Sequence, residues 1–419
     1  MTMHAETDVR ATPDDGLYRY AVFGAVLAGA GLPIYIHAPT FFAGEYGLSL
    51  TVIGSALFGL RILDFVQDPI LGWIADNLGP WRGLAAAATT ALLAAAMIAL
   101  FAIEPPIAPL WWFVGCLVVL FTAFSFLWIL FYARGIARGE AMGHGGPLRL
   151  AAWREGGTLT GICIAAIVPS LLILTDLASP LAIFAVGFAA CAAVAAWLMA
   201  PEWNRPVSRK DGGLRKLLAD PVLRRLLVVG LFNAAPLAVS ASLFLFYVEY
   251  RLGSAAAAGP LLLVFFLAAA ASAPVWSRIA EARGTKWTLI VAMILAIGSF
   301  SFAVFLGEGD AMLFGVICLF SGAALGADMT LLPALFSHNV DRVQGGGGQA
   351  FGLWNFCSKF TLALAAATVL PVLDGAGFTP DGPNPPSVLL ALTLLYAVVP
   401  SVLKIMALGV LVWTPIEED

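Results

Sequence analysis

The sequence predicts an all-α membrane protein in which twelve transmembrane helices form two pseudo-symmetric six-helix bundles. Of its 419 residues, 61% are hydrophobic and only 11% are charged. The mean hydropathy is +0.92, which is far above that of soluble domains. The apolar runs are about 20 residues or longer, enough for a helix to cross the hydrocarbon core. No alternation of apolar and polar residues marks the strands of a barrel, so helices are expected.

Twelve such runs are predicted as spans 1 to 12 in chain order. They cover residues 18–43, 47–75, 84–102, 108–133, 149–174, 179–199, 222–248, 257–277, 286–306, 311–337, 347–373 and 387–413. We expect no removable signal peptide ahead of span 1. We therefore predict cytoplasmic tails at residues 1–17 and 414–419, in a bacterial inner membrane protein.

The basic residues favour this orientation. Of the 22 Lys and Arg residues, 18 lie in segments that the topology places in the cytoplasm or within six residues of the cytoplasmic end of a span, and only Arg251 falls outside. The remaining three, Arg61, Lys359 and Lys404, lie deeper within spans. The four histidines and five cysteines show no metal-binding spacing, so neither a metal centre nor a cofactor is expected.

The chain divides into two similar halves. Residues 201–221, the longest polar connection between spans, separate a bundle at 18–200 from one at 222–413, as in transporters with internal repeats. An offset of 205 residues places Asp76 of span 2 on Glu281 of span 8. The same offset places Asp64 and Asp68 on alanines. The duplicated architecture therefore does not require these two acids.

Span 2 carries a charged stripe. Asp64 and Asp68 are four residues apart, and Arg61 precedes Asp64 by three, so all three share one helix face. A charge at the bilayer centre costs at least about 2.5 to 3.5 kcal/mol on insertion scales, so this face must meet a partner or a water-filled cavity. Lys359 in span 11 is the predicted partner, whereas Lys404 could extend its amine to the membrane surface.

Two interpretations of the stripe remain open. One is a coupling site at which the carboxylates bind Na⁺, or one carboxylate carries H⁺. The other is an ion-pair cluster that only fixes helix packing. We favour the first and predict a cation site with these members: Asp64, Asp68, Thr122, Asn355 and Lys359.

Further charged and polar residues are predicted around the transport path. A charge network that opens and closes the cytoplasmic side comprises Arg61, Asp76, Arg149, Arg154 and Glu155, of which the last three could pair across the halves. The predicted substrate cavity includes His37, Gln67, Trp128, Asp328 and Trp354. Asp328 could instead satisfy a helix break near Pro333, and His37 could simply pack.

The segment GLSLTVIGSALFGLRILDFVQDPILGWIADNLGPWRG, with LGADMTLLPALFSHNV and GQAFGLWNFCSKFTLALA, resembles the glycoside-pentoside-hexuronide:cation symporters of the major facilitator superfamily. The resemblance covers essentially the whole chain. It implies that Asp64 and Asp68 bind the coupling cation, with Lys359 close by. The sugar-binding acids of that family's galactoside carriers are absent, since Ala28 and Phe124 lie near their positions.

The resemblance implies cation-coupled symport of a small organic solute, such as a sugar or glycoside. A lipid-like amphiphile is the alternative, because the same branch includes lysophospholipid symporters. A membrane enzyme is disfavoured because the His and Cys residues are scattered. A non-transporting sensor would tolerate loss of both acids. We expect the protein to contact its solute and membrane lipids, to bind no nucleic acid, and to function as a monomer.

Overall fold

The computed structural model describes residues 16–143, 145–174, 177, 179–205, 213–343, 346–379 and 384–416. Parts of the predicted tails and of the central loop, with His4 and His144, lie outside these residues. The helices are α1 (Leu17–Gly29), α2 (Gly31–Tyr46), α3 (Leu50–Asn77), α4 (Arg82–Ala102), α5 (Pro109–Ala141), α6 (Gly146–Ile173), α7 (Pro180–Trp203), α8 (Leu214–Ala219), α9 (Pro221–Phe246), α10 (Ala258–Arg283), α11 (Thr285–Ser301), α12 (Ala311–Arg342), α13 (Gly347–Gly375), α14 (Pro386–Thr393) and α15 (Val399–Trp413).

Ten helices of the described chain are long and apolar enough to cross a membrane. They match spans 3 to 12, and α14 and α15 form span 12 with a π-helical turn between them. Span 2 is the 28-residue helix α3, which carries the charged stripe. Span 1 is interrupted at Ala30 between α1 and α2. Pro33 explains this break, because it has no N–H to bond the carbonyl of Gly29.

Some helices are longer than the apolar runs. Helix α5 continues to Ala141 and α12 to Arg342, beyond the predicted ends at 133 and 337. The extension of α5 carries Arg134 and Arg138, both buried. Hydropathy locates the hydrocarbon core, whereas the helix continues for as long as its backbone hydrogen bonds and packing permit.

Two contacts join the predicted halves most extensively. Helix α3 packs on α13, and α6 packs on α10. Helix α5 also contacts both α3 and α13. The stripe on α3 therefore lies where three helices from both halves of the chain meet.

Candidate cation site and substrate cavity

Four polar side chains meet between α3, α5 and α13, and we call them the carboxylate cluster: Asp64, Asp68, Ser125 and Lys359. The Lys359 ammonium lies 2.7 Å from Asp64 Oδ1 and 3.1 Å from Asp68 Oδ2. It also donates to the Ser125 hydroxyl at 2.5 Å, and that hydroxyl donates to Asp64 Oδ1 at 2.9 Å. One cation from the second half thus holds two acids of the first.

The cluster combines strong burial with an excess of negative charge. Asp64 is 4% exposed and Asp68 is fully buried. Two carboxylates against one ammonium leave these four side chains with a formal charge of −1. A buried ion pair recovers its desolvation cost only when geometry and hydrogen bonds are good, and the second carboxylate has to share its partner. The arrangement therefore favours an additional small cation or a proton.

Glycines bring α3 and α13 close enough for this contact. A Cβ atom on Gly72 would lie 2.5 Å from the carbonyl oxygen of Gly348, and one on Gly352 would lie 2.6 Å from that of Asp68. Both separations are shorter than side chains tolerate. Small residues at such crossings let helix backbones approach closely. Lys359 can reach the acids because the backbones are this near.

Asp76 fastens the same helix pair at the end of α3. Its carboxylate oxygens accept hydrogen bonds from the backbone N–H groups of Gly348 at 2.7 Å and Gln349 at 2.9 Å. These are among the N–H groups at the start of α13 that have no partner within the helix. The negative charge also suits the positive end of the helix dipole. Asp76 therefore links the two halves at one end of the molecule.

A cavity of about 560 Å³ lies largely within the second half and reaches α5 and α6. Its wall is mainly apolar and aromatic. Along α9 it extends from Gly230 to Phe244, and it reaches Phe314 near the start of α12. The span of 14 residues on α9 corresponds to about 21 Å. This elongated space has the size and composition typical of sites for small organic ligands.

A second buried ion pair lies in the cavity wall. Lys404 pairs with Asp328 Oδ2 and donates to the side-chain oxygen of Asn233 at 2.5 Å. The alternative in which Lys404 extends to the membrane surface is wrong, because the side chain is buried at 5% exposure. The buried carboxylate of Asp328 on α12 provides the charge compensation that the membrane surface would otherwise supply. Asp328 lines the cavity.

Glu155 forms a third buried pair. Its Oε1 accepts from Arg154 and from the Tyr132 hydroxyl, each at 2.7 Å. The Arg154 guanidinium also lies 3.7 Å from the centroid of the Tyr132 ring. The predicted pairing of Arg154 and Glu155 across the halves is therefore not what the structure shows, since both partners belong to the first half. Neighbouring residues on α6 and the facing Tyr132 on α5 are simply closer.

The remaining predicted cation ligands lie beside the carboxylate cluster. Thr122 donates to Gln67 Oε1 at 2.9 Å, which joins α5 to α3. Asn355 is buried in the cavity wall. Ser125, one turn after Thr122, takes the hydroxyl position that we predicted for Thr122. A serine in an apolar run gives little sequence signal, so only the structure identifies it.

The other predicted residues separate into two sets. Trp128 and Trp354 line the cavity, and Trp128 stacks on Tyr132 with ring centroids 4.9 Å apart. His37 is half-buried in α2, outside the cavity wall. Arg61 and Arg149 are half-buried on α3 and α6.

A further cluster of charged residues, around Glu202, was not predicted from the sequence. Glu202 is fully buried at the end of α7. Its carboxylate lies 3.1 Å from Arg205, 3.8 Å from Arg138 and 3.9 Å from Arg19. The only sequence signal was a lone acid beside a basic loop. In the described part of the chain, no group of three or more His, Cys, Asp or Glu residues could hold a metal ion.

Comparison with known proteins gives a family and a fold. The family model described as MFS/sugar transport protein matches residues 17–418. No curated protein matches the chain. The crystal structure of a bacterial homologue of the iron transporter ferroportin, in an outward-facing state, aligns with a TM-score of 0.66 and 14% identity, over 93% of this chain and 99% of that one. The E. coli fucose:proton symporter FucP aligns with a TM-score of 0.65 and 15% identity, over 94% and 97% of the two chains.

Proposed function

We propose that this chain, which belongs to the MFS/sugar transport protein family of the major facilitator superfamily, couples the symport of a small organic solute to Na⁺ or H⁺ by alternating access. The carboxylate cluster is the observation that carries the proposal. Its acids lie on α3 of the first half, and its ammonium lies on α13 of the second. Ion binding at this contact acts on both halves at once.

The coupling follows from competition for the carboxylates. Without a bound ion, Lys359 neutralises part of the charge on Asp64 and Asp68 and thereby holds α13 against α3. A cation or proton that binds the acids weakens their attraction for Lys359. Because the ion then has different affinities for the arrangements with and without this contact, it shifts the equilibrium between them. Rocking of one bundle against the other is the motion expected for this architecture.

The position of the closed end supports an outward-facing arrangement. The close α3–α13 contact continues to Gly72, Gly348 and Asp76, at the end that the predicted topology places in the cytoplasm. The cavity extends from the centre towards Phe244 and Phe314, at the opposite end. With this topology a solute would enter from the periplasm.

Both coupling ions fit the chemistry of the cluster. Na⁺ is a hard cation that prefers oxygen ligands, and the two carboxylates and the Ser125 hydroxyl provide them. A proton needs only one of the acids. The similar fold of a fucose:proton symporter keeps H⁺ as an alternative.

A lipid-like amphiphile is the second candidate for the solute. The apolar and aromatic wall of the cavity favours it. The absence of an acid from the positions of Ala28 and Phe124 also favours it over the galactosides that related carriers bind.

Thermal unfolding of the purified protein in NaCl and in choline chloride, at equal ionic strength, tests the ion site. Binding of Na⁺ at a hundredfold excess over its Kd adds about 2.7 kcal/mol to the stability of the folded state. We expect this stabilisation in the wild type and its loss in Asp68→Asn. Asp328→Asn is the matched control, since it removes another buried carboxylate paired with a lysine but should keep the sodium response.

The outcomes separate the alternatives. A sodium response that Asp68→Asn retains would contradict the assignment of the ion to the carboxylate cluster. If the wild type does not respond to sodium, stabilisation on lowering the pH that disappears in Asp68→Asn would support H⁺ instead. A protein that responds to neither ion would leave the cluster as a packing element and refute coupling.

A further inference from the structure

Three buried polar atoms in the cavity wall accept or donate no hydrogen bond within the described chain. They are Oε2 of Glu155, Oδ1 of Asp328 and Nδ2 of Asn355. Their side chains are at most 8% exposed, and all three residues line the same cavity. Leaving a buried polar group unpaired costs about 1 to 3 kcal/mol, and more when the group is charged. Such atoms around one cavity indicate where a ligand would make its polar contacts.

Each of the two carboxylates already has its own cation. Lys404 binds Asp328 through Oδ2, and Arg154 binds Glu155 through Oε1. Both cations have further partners, because Lys404 also bonds Asn233 and Arg154 also packs on the Tyr132 ring. The polar part of the cavity therefore offers free acceptor oxygens without a formal net charge on these two pairs.

This neutrality restricts the ligand. An anion would meet two carboxylate oxygens, while the cations beside them are engaged elsewhere. A cation would meet carboxylates whose charge is already compensated, and it would pay its own desolvation cost. Hydroxyl groups match both acceptors without bringing a charge into the membrane. Asn355 adds one amide donor for a ligand oxygen.

The apolar residues lie at the other end of the cavity. On three helices an aromatic residue is separated from a polar one by 8 to 14 residues: Phe244 from Asn233, Phe314 from Asp328, and Tyr396 from Lys404. These separations correspond to about 12 to 21 Å along a helix. The three rings gather together, with centroids 6.3 Å apart for Phe244 and Phe314 and 6.1 Å for Phe314 and Tyr396. The cavity is thus polar at its centre and aromatic towards one end.

We propose that the Asp328–Lys404 and Glu155–Arg154 pairs form a charge-compensated anchor that selects an uncharged amphiphile, with a hydroxylated head between them and an apolar body against the aromatic end. This rests on the proposed function only in taking the cavity as the solute site. Asp328 comes from the second half and Glu155 from the first, so a bound head group would contact both. Specificity would then depend on residues that form ion pairs and therefore add no net charge to the cavity wall.

Three ligands of similar size test the charge rule. At pH 6 phenyl β-D-glucoside is neutral, phenyl β-D-glucuronide is an anion, and phenyl 2-amino-2-deoxy-β-D-glucoside is a cation. Calorimetric titration of the nanodisc-reconstituted wild type should give the tightest binding for the glucoside, by about tenfold over either charged analogue, the factor expected for loss of one hydrogen bond to a charged group.

Single substitutions should then reverse the preference. Asp328→Asn leaves Lys404 without its carboxylate, so the glucuronide should become the best ligand. Lys404→Gln leaves Asp328 uncompensated, so the amino sugar should become the best ligand. The double variant Asp328→Asn/Lys404→Gln is again neutral and should restore the preference for the glucoside. This restoration also controls for misfolding, because a disrupted cavity would bind none of the three.

The proposal fails if the wild type prefers a charged analogue, if none of the three ligands binds, or if the single variants keep the wild-type order of affinities. The sodium-dependent unfolding described above is measured on the same preparations. Sodium stabilisation without glucoside binding refutes the anchor alone, whereas glucoside binding without an ion response refutes the coupling alone.

Discussion

Replacement of Lys359 by Met removes the only ammonium in the carboxylate cluster and leaves its two acids. Lys359 lies 2.7 Å from Asp64 and 3.1 Å from Asp68, and neither acid is more than 4% exposed. Breaking a buried pair by removing one partner typically costs about 3 to 5 kcal/mol, because the remaining charge is uncompensated. Here two like charges remain one helical turn apart. We therefore expect a loss at the upper end of that range in medium without sodium.

Sodium should recover much of this loss. In the wild type an incoming cation must displace the ammonium, whereas in Lys359→Met it meets free carboxylates. We expect the variant to bind Na⁺ at least about tenfold more tightly, which corresponds to about 1.4 kcal/mol. The assay is the melting temperature across a NaCl titration, with choline chloride keeping the ionic strength constant.

Lys404→Met is the matched comparison. It also removes a buried lysine from a carboxylate, Asp328, but that pair lies outside the carboxylate cluster. It should lower stability by less than Lys359→Met, because a single acid remains, and it should not steepen the sodium dependence. If Lys359→Met responds to sodium no more strongly than the wild type or Lys404→Met, then Lys359 does not compete with the ion and the coupling argument is refuted.

Three other substitutions probe the cluster and the closed end. Ser125→Ala removes a hydroxyl that contacts both Asp64 and Lys359. It should weaken sodium binding about five- to tenfold in the same titration, which corresponds to the loss of one hydrogen bond. An unchanged affinity would exclude the Ser125 hydroxyl as a sodium ligand. Gly72→Leu places a side chain against the Gly348 carbonyl. It should separate α3 from α13 at this end of their contact and increase the labelling of a cysteine introduced beside it. Unchanged labelling would contradict the argument that the two helices need glycines to approach this closely. Glu202→Gln removes the carboxylate shared by Arg19, Arg138 and Arg205, of which only Arg138 is buried. It should destabilise the protein by less than the about 3 to 5 kcal/mol of a fully buried pair, because exposed ion pairs contribute little, yet leave the sodium response in the same titration intact.

The family and the fold class that we predicted from the sequence are confirmed. The match over residues 17–418 and the two similar structures support the same all-α architecture. Hydropathy was sufficient for this because in a lipid bilayer every backbone polar group must be bonded internally. Hydropathy did not locate the helix ends as well, because α5 and α12 continue beyond their predicted ends. Bundle boundaries, ion choice and the roles of the site residues remain predictions.

The pairing of charged residues shows how far sequence spacing can go. Asp64 and Asp68 identified their own helix face, and Lys359 was the natural partner because few basic residues lie deep in spans. Lys404 could not be paired with Asp328 in the same way. A lone lysine in a span either reaches the surface or meets a charge on another helix, and the sequence does not say which helices are neighbours.

The sequence by itself determined that this chain crosses a membrane as helices and that the charges on α3 must avoid lipid. Both conclusions follow from local quantities, namely the hydrophobic length of each segment and the cost of moving a charge out of water. Only the tertiary structure decided which polar groups contact each other: Ser125 contacts Asp64, Lys404 contacts Asp328, and Glu202 contacts three arginines. Except for Glu202 and Arg205, which are three residues apart, these contacts join residues far apart in the chain. Their geometry is set by how closely whole helices pack.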